Sequence, residues 1–452
     1  MEVLVRFAPS PTGQLHVGNV RSALLNWLFA KRHGGSFILR FDDTDRQRSQ
    51  KSLADQIIDD LSWLGIKPDR IEWQSKRAAL YDAAIEKLKS MGKVYACYET
   101  EDELKRKRTR QLNRKEPPVY DRAGLLLKPE DHKKMLSAGL SPHWRFKLER
   151  KKAQWYDMIR GEQFIDTSSL SDPIILRQDG SYLYTFSSVI DDMDMGVTHI
   201  IRGEDHVINT APQIEIFKAL GGQVPDFAHH NLLSALDGAS LSKRVGVLSI
   251  PSLRDEGLEP EAVARYSVLV GTTETDLNEE NIDNLLPTDK RNSGISRSTI
   301  VFSQSELMTV NARVVHQMEY EAVASRLENL GVQGGEQFWK AVRTNCSTLS
   351  DVVKWWRVIT GPVRCRAGFS EEERDILVKA CDALPEEPWD EGTWDKWMEQ
   401  IPGIIGPGKR KLLAPMRKIL TGLSYGPELR QLLPLLGKRA VLERVEALRG
   451  TW

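Results

Sequence analysis

One stretch near the N-terminus has residue types and spacing suited to handling phosphate: Pro9-Ser10-Pro11-Thr12-Gly13-Gln14-Leu15-His16-Val17-Gly18-Asn19. It joins a short apolar run, residues 3–7, to a segment in which Val20, Ala23, Leu24, Trp27 and Leu28 recur at helical spacing. A strand–loop–helix junction presents free backbone N–H groups and the positive end of a helix dipole, and both favour an anion. Gly18 lets a nucleotide come close to the backbone. His16 can hydrogen-bond a phosphoryl oxygen as charge develops on it. Taken alone, His-x-Gly reads more readily as a turn with a helix cap.

The elements around this stretch predict a parallel βαβ unit. Gly34 and Gly35 end the first helix, and residues 37–41 read as the next strand. Arg40-Phe-Asp-Asp-Thr-Asp45 closes that strand, at the carboxyl edge where α/β sheets bind ligands. Residues 50–91 read as mainly helical. The apolar runs 174–176 and 182–186 flank Asp179-Gly180, a hairpin dipeptide. Residues 198–201 read as another strand, and residues 212–220 as a helix. Beyond about residue 315 the strand signals fade. Leu412, Leu413, Met416, Ile419 and Leu420 share one helical face, as do Leu429, Leu432, Leu433 and Leu436 ahead of Gly437.

A chain of 452 residues exceeds one ordinary core. With 40% hydrophobic and 28% charged residues it reads as soluble and globular. No apolar run approaches the ~20 residues of a membrane helix, and charges interrupt the first residues where a signal peptide would be apolar. The four cysteines, Cys97, Cys346, Cys365 and Cys381, are scattered, which suits a reducing cytoplasm. Sixty-three basic and 63 acidic residues cancel, so any nucleic acid must meet a local basic face. The basic run at residues 105–115 fits a solvated helix or a phosphate contact. Trp355, Trp356 and Arg357 suggest base stacking, but adjacent tryptophans cannot share one helix face.

Arg6-Phe-Ala-Pro-Ser-Pro-Thr-Gly13 followed by His16-Val-Gly-Asn19 resembles the first signature of the class I glutamyl-tRNA synthetases of bacterial type. The second signature of that family is a Lys-x-Ser-Lys-Arg loop, and Ser240-Leu-Ser-Lys-Arg244 stands in its place with serine for the first lysine. Such a loop carries a mobile cation to the pentavalent α-phosphorus and the departing pyrophosphate, a contact typically worth roughly 3 kcal/mol of barrier. The resemblance implies His16 and Lys243 as catalytic residues. It implies an ATP site of His16, Gly18, Asn19, Asp205, Ser242, Lys243 and Arg244.

It further implies a glutamate pocket of Arg6, Ala8, Ser10, Asp42, Tyr184, Ser188 and Arg202. Asp42 stands where the family usually has glutamate, and Ser188 where it usually has asparagine. The segment 200–206 resembles the strand and loop that carry a substrate arginine and an ATP-facing acid. Arg6 and Arg202 are the fork-shaped cations suited to carboxylates. Arg202 is our choice for the side-chain carboxylate, although the residues do not separate its role from that of Arg6. Some members hold zinc in the inserted domain. Here only Cys97 lies near that point, and His132 and His143 are too isolated to complete a tetrahedral site, so no zinc is expected. Magnesium is expected to enter with ATP.

The expected fold is multidomain α/β: a Rossmann-type parallel sheet catalytic domain with an α+β insertion, then an all-α anticodon-binding region. The expected boundaries are 1–93 and 182–238 for the catalytic halves and 94–181 for an inserted acceptor-end-binding domain. Residues 239–315 form a stem-contact domain and residues 316–452 the helical region. The implied function is ATP-dependent ligation of glutamate to the 3′-terminal adenosine of tRNA-Glu, and of tRNA-Gln in some members, by a cytoplasmic monomer with no membrane partner. The alternative is a catalytically altered tRNA-binding paralogue, suggested by the departures at Ser240, Asp42 and Ser188.

Overall fold

The computed structural model describes residues 2–45, 48–234, 248–277, 279–363, 368–405 and 409–446. The chain divides into two compact units, Met1–Asp255 with Val263–Ser303, and Glu256–Ala262 with Gln304–Trp452.

In the first unit β1 (Leu4–Phe7), β2 (Ser36–Phe41) and β3 (Arg70–Trp73) pair in parallel in that order. Parallel strands need crossover connections, supplied by α1 (Val17–Arg32) and α2 (Lys51–Trp63). Burial on both faces makes β2 nearly continuous in apolar residues, with Phe37, Ile38, Leu39 and Phe41 all buried. The expected helical stretch 50–91 is broken by β3, whose four residues are half exposed and too short to show an alternation; α3 (Ala78–Ser90) follows.

Next come β4 (Val94–Cys97), α4 (Glu101–Asn113), α5 (Pro129–Ser137), β5 (His143–Phe146), β6 (Lys152–Asp157), β7 (Gly161–Asp166) and β8 (Ile174–Leu176). Strands β4, β5 and β8 form an antiparallel sheet. α4 carries the basic run, begins with a Thr100–Glu103 capping box and buries no residue, so it is a solvated helix. The predicted hairpin at Asp179-Gly180 is only half present. The turn forms, with Gly180 at φ +81° and a single Leu176–Tyr182 bridge. The second arm is instead the start of α6 (Tyr184–Met195), because Phe186, Val189 and Ile190 bury one helical face.

The chain then builds β9 (His199–Gly203), α7 (Val207–Leu220) and β10 (Asp226–His230). A sheet of order β7-β6-β10-β9 results, parallel between β6, β10 and β9. Thr198, just before β9, donates its N–H to Leu4 O at 2.9 Å and accepts from Leu4 N at 2.9 Å, which brings β9 beside β1. The two halves of a Rossmann-type core therefore meet although α4 to β8 lie between them in sequence. Their shared core includes Ile38, Phe186, Ile200, Ile214 and Phe217.

The second unit is helical; the described residues 304–446 contain no strand. The helices of its described residues run from Gln304–Gln317 to Leu429–Glu446. One core centres on Phe338, Trp339 and Trp355, another on Trp397, Leu412, Met416 and Leu432. Trp355 is buried and donates its indole N–H to Asn345 O, whereas Trp356 is half-buried edge-on to Phe338, as adjacent helical positions require. Leu413, expected on the buried face, is exposed. Gly437, at φ +74° and ψ 158°, is non-helical and breaks the last span into two helices that meet at a kink, as its place after Leu436 leads one to expect. No described helix is long and apolar enough to cross a membrane.

Candidate active site

The carboxyl ends of β1, β2, β9 and β10 converge on a cleft of about 600 Å³. Arg6, Ala8, Ser10, His16, Gly18, Asn19, Asp42, Tyr184, Arg202 and Asp205 all line it. Ser188 is not among the lining residues: fully buried one turn after Tyr184, it donates to Tyr184 O at 2.6 Å and accepts from Gln213 Nε2 at 2.8 Å. Ser240, Ser242, Lys243 and Arg244 lie outside the described residues. The chain on either side of them does border the cleft. Leu233 lines it, Ser249 bridges to His16, and Ile250 N donates to Leu15 O at 3.0 Å.

His16 is the N-cap of α1, with an extended backbone. Its Nδ1 accepts from Gly18 N at 3.1 Å, and the Asn19 side chain completes a capping box to the His16 N–H. Burial lowers the His16 pKa, so the ring is neutral and its proton sits on Nε2. It is therefore a hydrogen-bond donor at a helix N-terminus. The space above Gly18 serves the ring itself: a Cβ there would meet His16 Cε1 at 3.0 Å.

Beneath the cleft lies a buried ion network. Arg6 Nε donates to Asp192 Oδ1 at 3.1 Å. Arg40, fully buried, donates to Asp42 at 2.7 Å and to Asp192 at 2.7 Å, and lies 3.8 Å from Asp191. Arg77 donates to Asp191 at 2.6 Å. Three arginines thus face Asp42, Asp191 and Asp192, and Arg77 also pairs with the exposed Asp194, so each arginine is balanced by at least one carboxylate. Burial pushes Asp42 up to about 6, against the pull of Arg40.

Arg202 stands outside that balance. It is 5% exposed, and no carboxylate of the described residues is within ion-pair distance of it. Its N–H groups meet neutral acceptors instead: Tyr184 Oη at 3.1 Å, Thr210 Oγ1 at 2.8 Å, His206 O at 3.4 Å and His229 Nε2 at 3.1 Å. A buried, hydrogen-bonded, unneutralised guanidinium facing a cleft is a receptor for an anion.

Four further polar residues line the cleft that the motifs did not single out: Ser22, His206, His230 and Asn231. Burial, then Arg202, lowers His206 to about 4. Burial lowers the fully enclosed His230 to about 3; its Nδ1 donates to Asn231 O at 3.0 Å, and Ser22 Oγ lies 2.7 Å from Nε2. Both rings are neutral hydrogen-bonding groups. The available signal was the pair His229-His230 at the carboxyl end of a strand.

The fold also corrects one expectation about metal ligands. His143 is not isolated: it pairs across β4 and β5 with Cys97, and ligand atoms of Cys97, Glu99 and His143 lie within 4.8 Å of one another. The group nevertheless fits zinc poorly. Burial pushes the Cys97 thiol up to about 11. Lys107 Nζ and the Tyr120 hydroxyl already bond Glu99, at 3.2 and 2.8 Å. The same hydroxyl lies 3.4 Å from Cys97 Sγ and accepts from Gly124 N at 3.0 Å. Arg145 stacks on the Tyr120 ring at 4.1 Å, so two cations crowd a three-donor set. His143 Nε2 is buried without a hydrogen-bond partner.

Comparison with known proteins agrees with this geometry. Residues 2–308 match the family described as tRNA synthetases class I (E and Q), catalytic domain, and residues 314–449 match an anticodon binding domain. The chain is 49% identical to glutamate–tRNA ligase 2 of Methylorubrum populi, over 98% of both chains. It is 48% identical to glutamate–tRNA ligase 1 of Brucella ovis, over 99% of this chain and all of that one. A crystal structure of a glutamate tRNA ligase from Elizabethkingia meningosepticum, in complex with its amino acid, superposes with a TM-score of 0.86 at 26% identity over the whole of both chains.

Proposed function

The chain belongs to the class I tRNA synthetases of the E and Q type, and on that premise we propose that its cleft activates glutamate with ATP and transfers it to the 3′-terminal adenosine of a tRNA. The activity is that of a glutamate–tRNA ligase. The observation that carries the assignment of the site is Arg202, a buried cation with only neutral partners, set beside an ion network in which each arginine has a carboxylate partner.

In the first step the α-carboxylate of glutamate attacks the α-phosphorus of ATP, giving glutamyl-adenylate and pyrophosphate. In the second a ribose hydroxyl of the terminal adenosine attacks the activated carbonyl and releases AMP. Neither step needs a protein nucleophile, so catalysis is positioning and charge stabilisation. Arg202 and the Tyr184 hydroxyl hold the carboxylate that does not react. Asp42 receives the substrate ammonium. Arg6, already paired with Asp192, shapes the pocket. His16 Nε2–H and the N-terminus of α1 meet the phosphates together with Gly18 and Asn19. Lys243 meets the α-phosphate and pyrophosphate; the support for this is that both described flanks of its loop border the cleft. Ser242 and Arg244 accompany it. Magnesium arriving with ATP would balance phosphate charge, and the described cleft offers it Asp205 rather than a cage of carboxylates.

Residues 94–181 take the acceptor end of the tRNA, residues 239–315 the stem, and residues 316–452 the anticodon. The enzyme is a cytoplasmic monomer without resident zinc, and it charges tRNA-Glu. Activation waits for tRNA. ATP-dependent transfer of labelled glutamate to purified tRNA-Glu and tRNA-Gln tests the reading. Lys243→Ala is expected to cut the rate by orders of magnitude while tRNA binding persists. An unchanged rate removes that role, and full-rate pyrophosphate exchange without tRNA removes the requirement for tRNA.

A further inference from the structure

Behind Arg202 lies a buried pair that no step above uses. Asp157, the last residue of β6, places Oδ2 2.5 Å from Nδ1 of His229 on β10. Both side chains are fully buried. Asp157 Oδ1 also accepts from the backbone N–H groups of His229, Ile159 and Arg160, at 3.2, 3.1 and 2.9 Å. Burial opposes its charge, but these hydrogen bonds prevail, and its pKa lies below the usual carboxylate value. Burial holds His229 below its ordinary value; the other charges that act on it are Asp157, Arg202 and Arg160.

A neutral imidazole beside an ionised carboxylate carries its proton on the facing nitrogen, here Nδ1. Nε2 is left as a lone pair. It accepts from Arg202 Nε at 3.1 Å, and Thr210 Oγ1 lies 3.1 Å from it.

We propose that Asp157 and His229 are positioning residues that set Arg202 for the unreacting carboxylate of glutamate, an inference that rests on the function proposed above. A guanidinium has five N–H donors. His229, Thr210, the His206 carbonyl and Tyr184 take one each, and the fifth is left on Nη1, the nitrogen that already meets Tyr184. The Tyr184 hydroxyl accepts from Arg202, so its own proton is free to donate. One N–H and one O–H therefore converge on a single carboxylate. The acceptors that fix the guanidinium are all neutral, so its charge is held in place without being cancelled. A carboxylate bonded directly to Arg202 would compete with the substrate. Asp157 avoids this by acting through the imidazole: it decides which nitrogen holds the proton and leaves the cation available.

The test separates glutamate binding from folding. In Asp157→Asn the amide can donate to Nδ1, which moves the imidazole proton to Nε2, where it meets the Arg202 N–H head-on. Glutamate KM is expected to rise roughly tenfold or more, at saturating ATP and tRNA. ATP KM should move less than about twofold, because no ground-state contact to ATP is lost. His229→Leu should act like Asp157→Asn. His229→Gln, which can return an amide oxygen near the Nε2 position, should bring glutamate KM back to within about threefold of the parent. If Asp157→Asn does not fold, the two His229 variants decide. The proposal is overturned if His229→Leu leaves glutamate KM unchanged. It is also overturned if the Leu and Gln variants raise both KM values alike and lower the thermal midpoint in parallel. A parent protein that charges no tRNA with glutamate would instead remove the proposed function.

Discussion

Arg6 and Asp192 form a buried ion pair, Nε to Oδ1 at 3.1 Å, with both side chains 3% exposed or less. The pair separates two arginines that look equivalent in sequence. Arg6 is neutralised within the protein, whereas Arg202 has only neutral hydrogen-bond partners among the described residues.

Removing the Asp192 charge should therefore damage the fold, and removing Arg202 should damage the reaction. Asp192→Asn deprives Arg6 and Arg40 of a shared partner, and urea unfolding should register a loss of about 3–5 kcal/mol. Arg202→Met removes an unpaired buried cation. Its unfolding free energy should hold or rise, while kcat/KM for glutamate falls on the order of a hundredfold or more. Strong destabilisation by Arg202→Met would contradict this division.

Asp42 gives the reaction an acid limb. Below about 6 the carboxyl is neutral and no longer attracts the substrate ammonium. kcat/KM for glutamate, which reports the free enzyme, should fall as pH drops through about 6 and level off above it. Asp42→Asn should lower the plateau and abolish the limb; a limb that persists would assign the titration elsewhere. The sign for folding is opposite. With a folded pKa above the unfolded one, Asp42 binds more protons when folded, so stability declines as pH rises between about 4 and about 6.

Gly18→Ala tests the seat of His16. The added Cβ would lie 3.0 Å from His16 Cε1, so the ring must move while the helix gains a better helix former. The thermal midpoint should hold, and kcat should fall on the order of a hundredfold as the Nε2 donor leaves its position. An unchanged kcat would mean that His16 placement does not limit the reaction.

The cluster of Cys97, Glu99 and His143 should hold no metal. Elemental analysis of the purified chain is expected to find far less than one zinc per molecule, and chelator should leave the thermal midpoint unchanged. Stoichiometric zinc, lost in Cys97→Ser, would overturn this reading. Tyr120→Phe, which removes the hydroxyl at the centre of the cluster, should cost about 1 kcal/mol.

Much of the site was legible because its parts are local. The stretch from Arg6 to Asn19 is one strand, one loop and one helix start, and its signature depends on neighbours within a few turns of chain. The same holds for Arg40 to Asp42 and for Tyr184, each tied to the end of an element. Elsewhere the local signals are weak. Four residues of β3 cannot display a period, and residues 182–186 fit a strand as well as the first turn of α6. The motif runs through Ser188, but its helix turns the side chain towards Gln213.

The sequence by itself determined the family, the strand–loop–helix junction at His16, the parallel core and the helical C-terminal unit, because apolar periodicity and contiguous motifs are written along the chain. Tertiary structure alone decided the charge balance. Arg6 meets Asp192 across 186 positions, and Asp157 meets His229 across 72. Cys97 meets His143 only because two strands align. Coulomb energy and desolvation depend on distance in space and on burial, and neither is a property of spacing along a chain. For that reason the sequence could name two arginines, and only the fold could say which one pairs with a carboxylate.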